Sequence, residues 1–369
     1  METIKAMTAF NWTRQLEAEP VTASAPCRVD LGGTLDIKTF FLPLAARSPV
    51  TFNIALDLRT RVSLRPYQEG RVRVSSRGFD SVSYALDEAP FDHPLGLMFA
   101  IAAYFKAEGV HLEIDSASPP RSALGGSSVA AVALVAAFMA VKGRKESPAR
   151  RRDVVLTAHA VEEGAARVPC GIQDQLAAAY GGINAWEWRF TAGQPVFWHR
   201  QAIPADRYAN LNDCLLLAYG GLPHESKDIN GQWISHFLSG RDRGLWHEIT
   251  ACAASFVEAF RSGRLDRAVS LMNREVDLRK QMTPAVFDDM GNNLVALARK
   301  HRCGARFAGA GGGGCIWALG QPGDIKSLRE EWRTVLKSRK AAGLLDVRVD
   351  PTGVLVDEPG QEGLRINVT

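Results

Sequence analysis

The segment SALGGSSVAAVALV, residues 122–135, combines two glycines and two serines with an alanine-rich run. Gly125 and Gly126 remove side-chain bulk where a helix is predicted to begin, and Ser127 and Ser128 supply hydroxyls and amides in its first turn. Because a helix N-terminus has unpaired N–H groups and a partial positive charge, it can bind an anion such as phosphate. A serine-capped core helix would give the same pattern, so this segment alone leaves both interpretations open.

A second glycine-rich segment, FAGAGGGGC at residues 307–315, contains the spacing GxGxxG at Gly309, Gly311 and Gly314. In dinucleotide-binding proteins that spacing follows a strand and opens a helix. Here CIWALG follows, which indicates another strand and disfavours a nicotinamide-dependent oxidoreductase. The glycine run therefore predicts a strand-to-strand turn that either approaches a ligand closely or is a plain hairpin. A P-loop is excluded because the chain has no Gly-Lys dipeptide.

Carboxylates occur at a spacing that suits phosphoryl transfer. Asp174 lies between two glutamines in CGIQDQ, and Glu162 and Glu163 end the preceding predicted helix. One carboxylate could orient or deprotonate a hydroxyl, and a second could hold Mg²⁺. Arg28, at the start of a predicted strand, could pair with Asp174 or stabilise phosphoryl charge. A turn role for Asp174 and a strand-edge ion pair for Arg28 remain the alternatives.

The elements that must position these residues alternate along the chain. The sequence predicts strands over 50–67 and 71–86, a helix over 93–109, a strand over 110–116, a helix over 147–167, mostly helices over 225–300 and a helix over 323–341. This order predicts an α+β fold whose halves join near residues 190–210. The apolar run from Val129 to Val141 has 13 residues, against about 20 for a membrane span.

Composition limits the classes of protein that the chain can be. Its 369 residues exceed what one hydrophobic core usually holds, which favours two domains. A net charge of +4 is too weak to imply nucleic acid. Six scattered cysteines without a CxxC pair argue against a zinc knuckle or a disulfide framework and for a reducing compartment. We therefore expect a cytoplasmic protein that binds small molecules, with neither a nucleic-acid nor a membrane partner.

Three motifs, APCRVDLGG, PPRSALGGSSVAA and FAGAGGGGC, occur in this order in one chain. Together they resemble the three signature motifs of the GHMP kinases, the superfamily of galactokinase, homoserine kinase, mevalonate kinase and phosphomevalonate kinase. CGIQDQ is similar to the galactokinase segment CGIMDQ. QDQLAAAYGGINAW and YGGLPHESKDINGQWISHF are more similar to the branch that includes the heptose-phosphate kinases. The resemblance spans residues 25–319.

The resemblance implies a two-domain α+β architecture of mixed sheets and helices with the active site in the cleft between the domains. We expect a leader over 1–24, an N-terminal domain with the ATP loop over 25–200, and a ferredoxin-like C-terminal domain over 201–369. The implied cofactors are ATP and Mg²⁺. A monomer or a homodimer is expected.

The resemblance also assigns roles to individual residues. It implies that Asp174 and Arg28 are catalytic and that Ser128 and Glu162 hold Mg²⁺, although Ser127 and Glu163 are near enough to be confused with them. The remaining expected contacts are those of the phosphate loop (Leu124, Gly125, Gly126, Ser127, Ser128) and those of the substrate (Asp30, Asp36, Gly171, Gly311, Gly312).

The first motif departs from the galactokinase form GRVNLIGEHTDY. It is one residue shorter, Cys27 replaces a glycine, and the Glu-His pair is missing, which disfavours galactose itself. We expect ATP-dependent phosphorylation of a sugar or sugar phosphate, at the anomeric hydroxyl, with a D-glycero-D-manno-heptose phosphate as the leading substrate. The alternatives are a kinase of the galactose, fucose or arabinose type and a non-catalytic sugar or nucleotide sensor. Arg121, Arg167 and Lys227 could meet a substrate phosphate.

Overall fold

The computed structural model describes residues 10–143, 151–166, 169–193, 196–223, 229–358 and 361–365. Its α-helices are α1 (Trp12–Ala18), α2 (Lys38–Phe41), α3 (Gly96–Phe105), α4 (Gly126–Val141), α5 (Arg151–Ala165), α6 (Gln173–Tyr180), α7 (Tyr208–Asn212), α8 (Ile229–Leu238), α9 (Arg243–Arg261), α10 (Leu265–Met282), α11 (Asp289–Lys300) and α12 (Pro322–Leu336). Its strands are β1 (Val21–Leu31), β2 (Val50–Pro66), β3 (Arg71–Ser76), β4 (Val82–Ala85), β5 (Val110–Ser116), β6 (Ile183–Trp188), β7 (Phe197–Gln201), β8 (Leu215–Tyr219), β9 (Gly304–Phe307), β10 (Cys315–Leu319), β11 (Gly343–Leu345), β12 (Leu355–Glu358) and β13 (Gln361–Arg365).

The larger sheet is organised around the long strand β2. Its described strands follow the order β13-β12-β1-β2-β5-β3-β4, while β6 pairs with the first residues of β2 and β7 pairs with β6. The pairs are antiparallel except for β3 with β5, so the sheet is mixed. The β1–β2 register shifts between Pro26 and Cys27, where proline has no N–H to donate. Such a bulge re-aims the side chains that follow it, and the second residue after Pro26 is Arg28.

Helix α4 lies in the core of this part of the molecule. Its residues from Ser128 to Met139 are all buried, and alanines supply much of that run. A helix that is apolar on all faces must be covered on all faces, and α4 packs against β1, β2, α3, α5 and α6. This burial fixes the position of its N-terminus.

The smaller sheet is antiparallel, with the described strands in the order β11-β8-β10-β9. Helices α10, α11 and α12 pack against it, and α9 packs along α10. Trp317 of β10 and Trp332 of α12 are fully buried. Together the two sheets and their helices confirm the expected α+β class with mixed sheets.

The first and the last described segments of the chain both join the larger sheet. Residues 10–24, which the sequence assigned to a leader, form α1 and the start of β1, with Trp12 and Leu16 buried. Trp12 donates to the carbonyl of Lys106 at 2.8 Å and packs edge-on against Phe138 of α4. At the other end β12 pairs with β1, so this sheet takes strands from both predicted domains. The domain boundaries themselves stay a prediction.

Two predicted element ends differ from the structure. Helix α3 ends before Lys106, which adopts a left-handed φ of 53°, and not at Gly109. The predicted start of the helix at Ser147 lies outside the described residues. Within the described ranges, no helix combines the length and apolarity that a membrane crossing requires.

Candidate active site

A cavity of about 460 Å³ opens where the loop before α4, the N-terminus of α6 and the β9–β10 loop meet. The residues that line it on the side of α6 and α8 include Thr34, Asp36, Ile37, Gly171, Gln173, Asp174 and Asn230. Those that line it on the side of α3 and β5 include Phe79, Leu95, Leu97, Met98, Ile114, Ser116 and Ser118. Gly125, Gly126 and Ser127, at the start of α4, also line the cavity.

Arg28 and Asp174 form an ion pair at the wall of this cavity. Arg28 is only 3% exposed, and its Nε donates to Asp174 Oδ1 at 2.7 Å while its Nη1 donates to the carbonyl of Ala123 at 2.8 Å. Burial alone would lower the pKa of Arg28, but the carboxylates of Asp174 and Asp30 raise it above its usual value. The permanent cation therefore holds Asp174, whose side chain stays 22% exposed, in a fixed position.

The loop before α4, which the sequence predicts to bind phosphate, passes directly against this carboxylate. Gly125 has a left-handed φ of 81°, and a Cβ on it would lie 3.1 Å from Asp174 Oδ2. Glycine is thus required both by the conformation and by the close approach. The first turn of α4 has neither a side-chain cap nor an acidic residue, so the end of the helix can accept an anion. Leu124, by contrast, is fully buried, and its carbonyl accepts from the Arg28 N–H at 3.3 Å.

Glu162 reaches the start of α4 from the neighbouring helix α5. Its Oε1 accepts from Ser128 Oγ at 3.0 Å and from Ser127 Oγ at 3.3 Å, and its Oε2 accepts from Gln175 Nε2 at 2.5 Å. Burial raises the pKa of Glu162 to about 7, and the nearby Asp174 carboxylate adds to the rise, against the opposing hydrogen bonds. The structure thus places this carboxylate beside both candidate serines.

Glu163 lies on a different face of α5. Its carboxylate pairs with Lys38 Nζ at 3.1 Å and is 37% exposed. The two adjacent glutamates that the sequence left ambiguous are therefore distinguished by their partners: Glu162 contacts the serines, and Glu163 a surface lysine.

The donor set around Glu162 suits a magnesium–nucleotide complex. Among the described residues, no group of three or more His, Cys, Asp or Glu side chains could hold a metal alone. Mg²⁺ is commonly bound by one or two protein oxygens together with substrate phosphates and water. Ser128 and Glu162 offer two such oxygens next to an uncapped helix N-terminus, so the residues fit this mode of binding.

Asp36 provides a second carboxylate at the side of the cavity formed by α6 and α8. It is buried, and its Oδ2 accepts from the Gln173 N–H at 3.0 Å. Burial raises the pKa of Asp36 to about 6, against the lowering effect of that hydrogen bond, and the charge of Asp174 adds to the rise. Gly171 is needed here because a Cβ on it would overlap the carboxylate of Asp36.

Three residues that the sequence assigned to the substrate do not line the cavity. Asp30 is fully buried; its Oδ2 accepts from Arg306 Nη1 at 3.1 Å and its Oδ1 from the Gly309 N–H at 2.8 Å. Gly311 and Gly312 approach Val286 instead, and the Gly312 N–H donates to its carbonyl at 3.0 Å.

The cavity is lined instead by other residues of the same loop and of α8. From the glycine run, Gly309 and Ala310 face it. Asn230 of α8 lines it as well, and sequence reasoning did not select it because an asparagine early in a helix has no distinctive pattern. Of the basic residues considered for a substrate phosphate, Arg121 lines the cavity, while Arg167 and Lys227 lie outside the described residues.

A buried ion cluster, formed by Asp30, Glu275, Arg279 and Arg306, lies behind the cavity wall. Glu275 binds Arg279 Nε and Arg306 Nε, each at 2.9 Å, and all four residues are fully buried. Arg279 also donates to the carbonyl of Gly33 at 2.7 Å and to the hydroxyl of Thr34 at 3.0 Å. The cluster therefore anchors the turn that leads to Asp36.

Comparison with known proteins points to one superfamily. Residues 94–182 match the family described as GHMP kinases N terminal domain. Mevalonate kinase from Thermococcus sibiricus is 24% identical over 373 residues, covering 94% of this chain and 98% of that protein. Probable glucuronokinase 2 from Arabidopsis thaliana is 26% identical over 280 residues, covering 69% of this chain and 72% of that protein.

Solved structures share the fold along most of the chain. The galactokinase of Lactococcus lactis in complex with galactose superposes with a TM-score of 0.69 at 16% identity, covering 93% of this chain and 98% of that one. A D-glycero-D-manno-heptose 1-phosphate kinase from Bacteriodes thetaiotaomicron superposes with a TM-score of 0.64 at 14% identity, covering 92% and 100%.

Proposed function

We propose that this chain, whose residues 94–182 match the GHMP kinase N-terminal domain and whose fold is shared with galactokinase, is an ATP-dependent kinase acting on a sugar or sugar-phosphate hydroxyl. One observation carries the proposal: Arg28 holds the Asp174 carboxylate against Gly125, at the uncapped start of α4. A proton acceptor and an anion-binding helix end thus meet in one cavity. Phosphoryl transfer depends mainly on such positioning and on charge stabilisation.

In this proposal the start of α4 binds the phosphates of ATP through the amides of Gly126, Ser127 and Ser128. Ser128 and Glu162 hold Mg²⁺, which when bound supplies positive charge to the phosphate oxygens. Asp174 accepts a hydrogen bond from the acceptor hydroxyl and takes its proton as phosphoryl transfer proceeds. Arg28 keeps the carboxylate oriented and contributes positive charge next to the transferred group.

The apolar side of the cavity suits the nucleoside. Leu95, Leu97, Met98 and Ile114 line it together with Phe79, and an adenine ring is bound mainly by such surfaces. The acceptor then occupies the opposite side, between Asp36, Gly171 and Gly309. Asp30, Gly311 and Gly312 support these loops from behind and do not contact the substrate.

We propose D-glycero-D-manno-heptose phosphate as the leading acceptor and its anomeric hydroxyl as the position phosphorylated. The segments from Gln173 to Trp186 and from Tyr219 to Phe237, which resemble heptose-phosphate kinases, support this choice. Sugars of the galactose, fucose or arabinose type are the alternative acceptors. The six cysteines form no disulfide, which supports a reducing, cytoplasmic location, and a monomer or a homodimer completes the proposal.

A coupled assay of ATP consumption tests the function. The panel contains heptose phosphates, fucose, galactose and arabinose, each with Mg²⁺, and one or more acceptors should stimulate ADP formation above the rate without acceptor. ATP binding without turnover on any acceptor would favour the non-catalytic sensor. The retention of Arg28, Glu162 and Asp174 in contact with the same loop argues for the enzyme.

A further inference from the structure

On the side of the cavity next to α6 and α8, four side chains carry hydrogen-bond acceptors: Asp36, Gln173, Asp174 and Asn230. We call these four residues the acceptor end. Two of its members, Asp36 and Asp174, are carboxylates. The other two are amides whose buried oxygens, Gln173 Oε1 and Asn230 Oδ1, have no hydrogen-bond partner in the described part of the chain. Gln173 is only 7% exposed. A buried acceptor without a partner is costly, and a bound ligand that donates a hydrogen bond removes that cost.

Of the described cations around the cavity, Arg28, Arg77 and Arg279 have partners within the chain. Among the described residues that line the cavity, the basic side chains are Arg28, Arg77 and Arg121. Arg28 is bound to Asp174 and to the carbonyl of Ala123. Arg77 donates to the carbonyl of Ser118 at 3.5 Å, on the apolar side of the cavity, and Arg121 follows in the same stretch of chain. Behind the acceptor end, Arg279 is bound by Glu275, Gly33 and Thr34.

We infer that the acceptor end binds an uncharged, hydroxyl-rich part of the substrate and rejects a carboxylate, with Asn230 as a specificity residue. The inference rests on the proposed kinase function. Two carboxylates and two carbonyl oxygens without a partner attract hydroxyl donors, whereas a substrate carboxylate there would be desolvated next to two like charges. A phosphate on the substrate would have to lie beyond these four residues.

This inference separates the chain from several of its relatives. The names of the similar proteins specify mevalonate and glucuronate, and both compounds are carboxylates at neutral pH. An identity of about a quarter with these proteins would suggest that this chain also acts on mevalonate or glucuronate. The chemistry of the acceptor end predicts instead that the substrate of this chain is a neutral sugar.

Matched substrate pairs test the rejection of a carboxylate. Each neutral sugar that stimulates ATP consumption is compared with its uronic acid, as galactose with galacturonate, and mevalonate is assayed in parallel. We expect kcat/KM to be at least about a hundredfold lower for the acid of each pair. The Asp36→Asn variant removes one like charge, so the difference in kcat/KM between the neutral sugar and its uronic acid should become smaller. Turnover of a uronate or of mevalonate at the rate of the neutral sugar would overturn the inference and leave the kinase function intact.

Substitutions of Asn230 test its role. Asn230→Leu removes the acceptor, and KM for the accepted sugar should rise about tenfold to a hundredfold while kcat changes less. Asn230→Asp keeps an oxygen acceptor at the same place, so its KM should stay within a few-fold of the wild-type value. An unchanged KM in Asn230→Leu, with the variant folded by circular dichroism, would remove Asn230 from substrate recognition.

Direct binding distinguishes failure of the inference from failure of the proposed function. If no compound is turned over while ATP binds, the kinase proposal fails. The same sugars and uronates are then titrated by calorimetry into the protein loaded with a non-hydrolysable ATP analogue. Binding of a neutral sugar without its uronate supports the acceptor end, whereas equal binding of both, or binding of neither, contradicts it.

Discussion

Two groups of buried carboxylates lie next to the same cavity, and they differ in whether a cation neutralises them. In the buried ion cluster, Glu275 is bound by two arginines. Burial alone would raise the pKa of Glu275, but Arg306 and Arg279 hold it below its usual value. At the cavity, Asp36 and Glu162 form no ion pair with any described Lys or Arg, and burial raises their pKa values to about 6 and about 7.

The difference separates structural charge from charge kept for a ligand. The cluster satisfies its charges within the folded chain and fixes the turn before Asp36. Among the described residues, Asp36 and Glu162 accept from neutral donors, such as the N–H of Gln173 and the hydroxyl of Ser128. Their desolvation costs stability until a cation or a hydroxyl donor binds, a trade that is common at functional sites.

The largest expected effect is a loss of turnover, caused by a substitution in the cavity that does not change the buried ion cluster. Asp174→Asn removes the proton acceptor but keeps the size of the side chain. We expect turnover to fall by about 10²- to 10⁴-fold, the range for loss of a general base, with ATP affinity nearly unchanged. Initial rates and binding of a fluorescent ATP analogue measure the two quantities. Near-normal turnover would exclude Asp174 from the mechanism.

The reciprocal change breaks the buried ion cluster. Glu275→Gln leaves Arg279 and Arg306 with less neutralising charge in a fully buried environment, and we expect the free energy of unfolding to fall by about 3–5 kcal/mol. Glu163→Gln is the matched control, because its pair with Lys38 is exposed and worth less than about 1 kcal/mol. Urea denaturation measures both variants. An equal loss of unfolding free energy in the two variants would show that the buried ion cluster stabilises the fold no more than the exposed Glu163–Lys38 pair does.

A smaller effect of opposite sign is expected at Asp36. Its raised pKa means that the folded state binds the proton more tightly than the unfolded state, so stability from this group is present at low pH and is lost as pH rises through about 6. Asp36→Asn cannot ionise and should raise the free energy of unfolding at pH 8 by about 3 kcal/mol. The gain should shrink as pH falls toward 4. A loss of stability at pH 8 would mean that the carboxylate has a compensating partner.

The smallest expected effect concerns Mg²⁺. Glu162→Gln removes a charged ligand, and the Mg²⁺ concentration that gives half-maximal rate should rise about tenfold. Glu163→Gln is again the control and should leave that concentration unchanged. A shift in Glu163→Gln, or none in either variant, would reassign the metal ligand.

The residues of the site that could be predicted from the sequence are those that lie in short, recognisable motifs. The resemblance brought Arg28, Asp174, Ser128 and Glu162 into one set, and the structure places them around one helix N-terminus. Asp30 was assigned to the substrate because only its own motif could be seen. Its partner, Arg306, is 276 residues away, and no local pattern reveals that contact.

Other differences have equally physical causes. A run of glycines does not show which side of its turn faces a cavity, so Gly311 and Gly312 were selected where Gly309 lines it. Helix α3 ends at Phe105 because the backbone at Lys106 turns left-handed, a conformation that glycine usually adopts. Residues 10–24 were assigned to a leader, yet Trp12 packs against Phe138 of α4, a contact that no local pattern reveals.

Phosphorus NMR of the reaction mixture tests the central claim most directly. The wild-type protein is incubated with ATP, Mg²⁺ and each acceptor of the panel. The account predicts a new phosphate-ester signal, coupled to the anomeric proton, that grows together with ADP and is absent in Asp174→Asn. Bound ATP with no phosphate ester on any acceptor would contradict it.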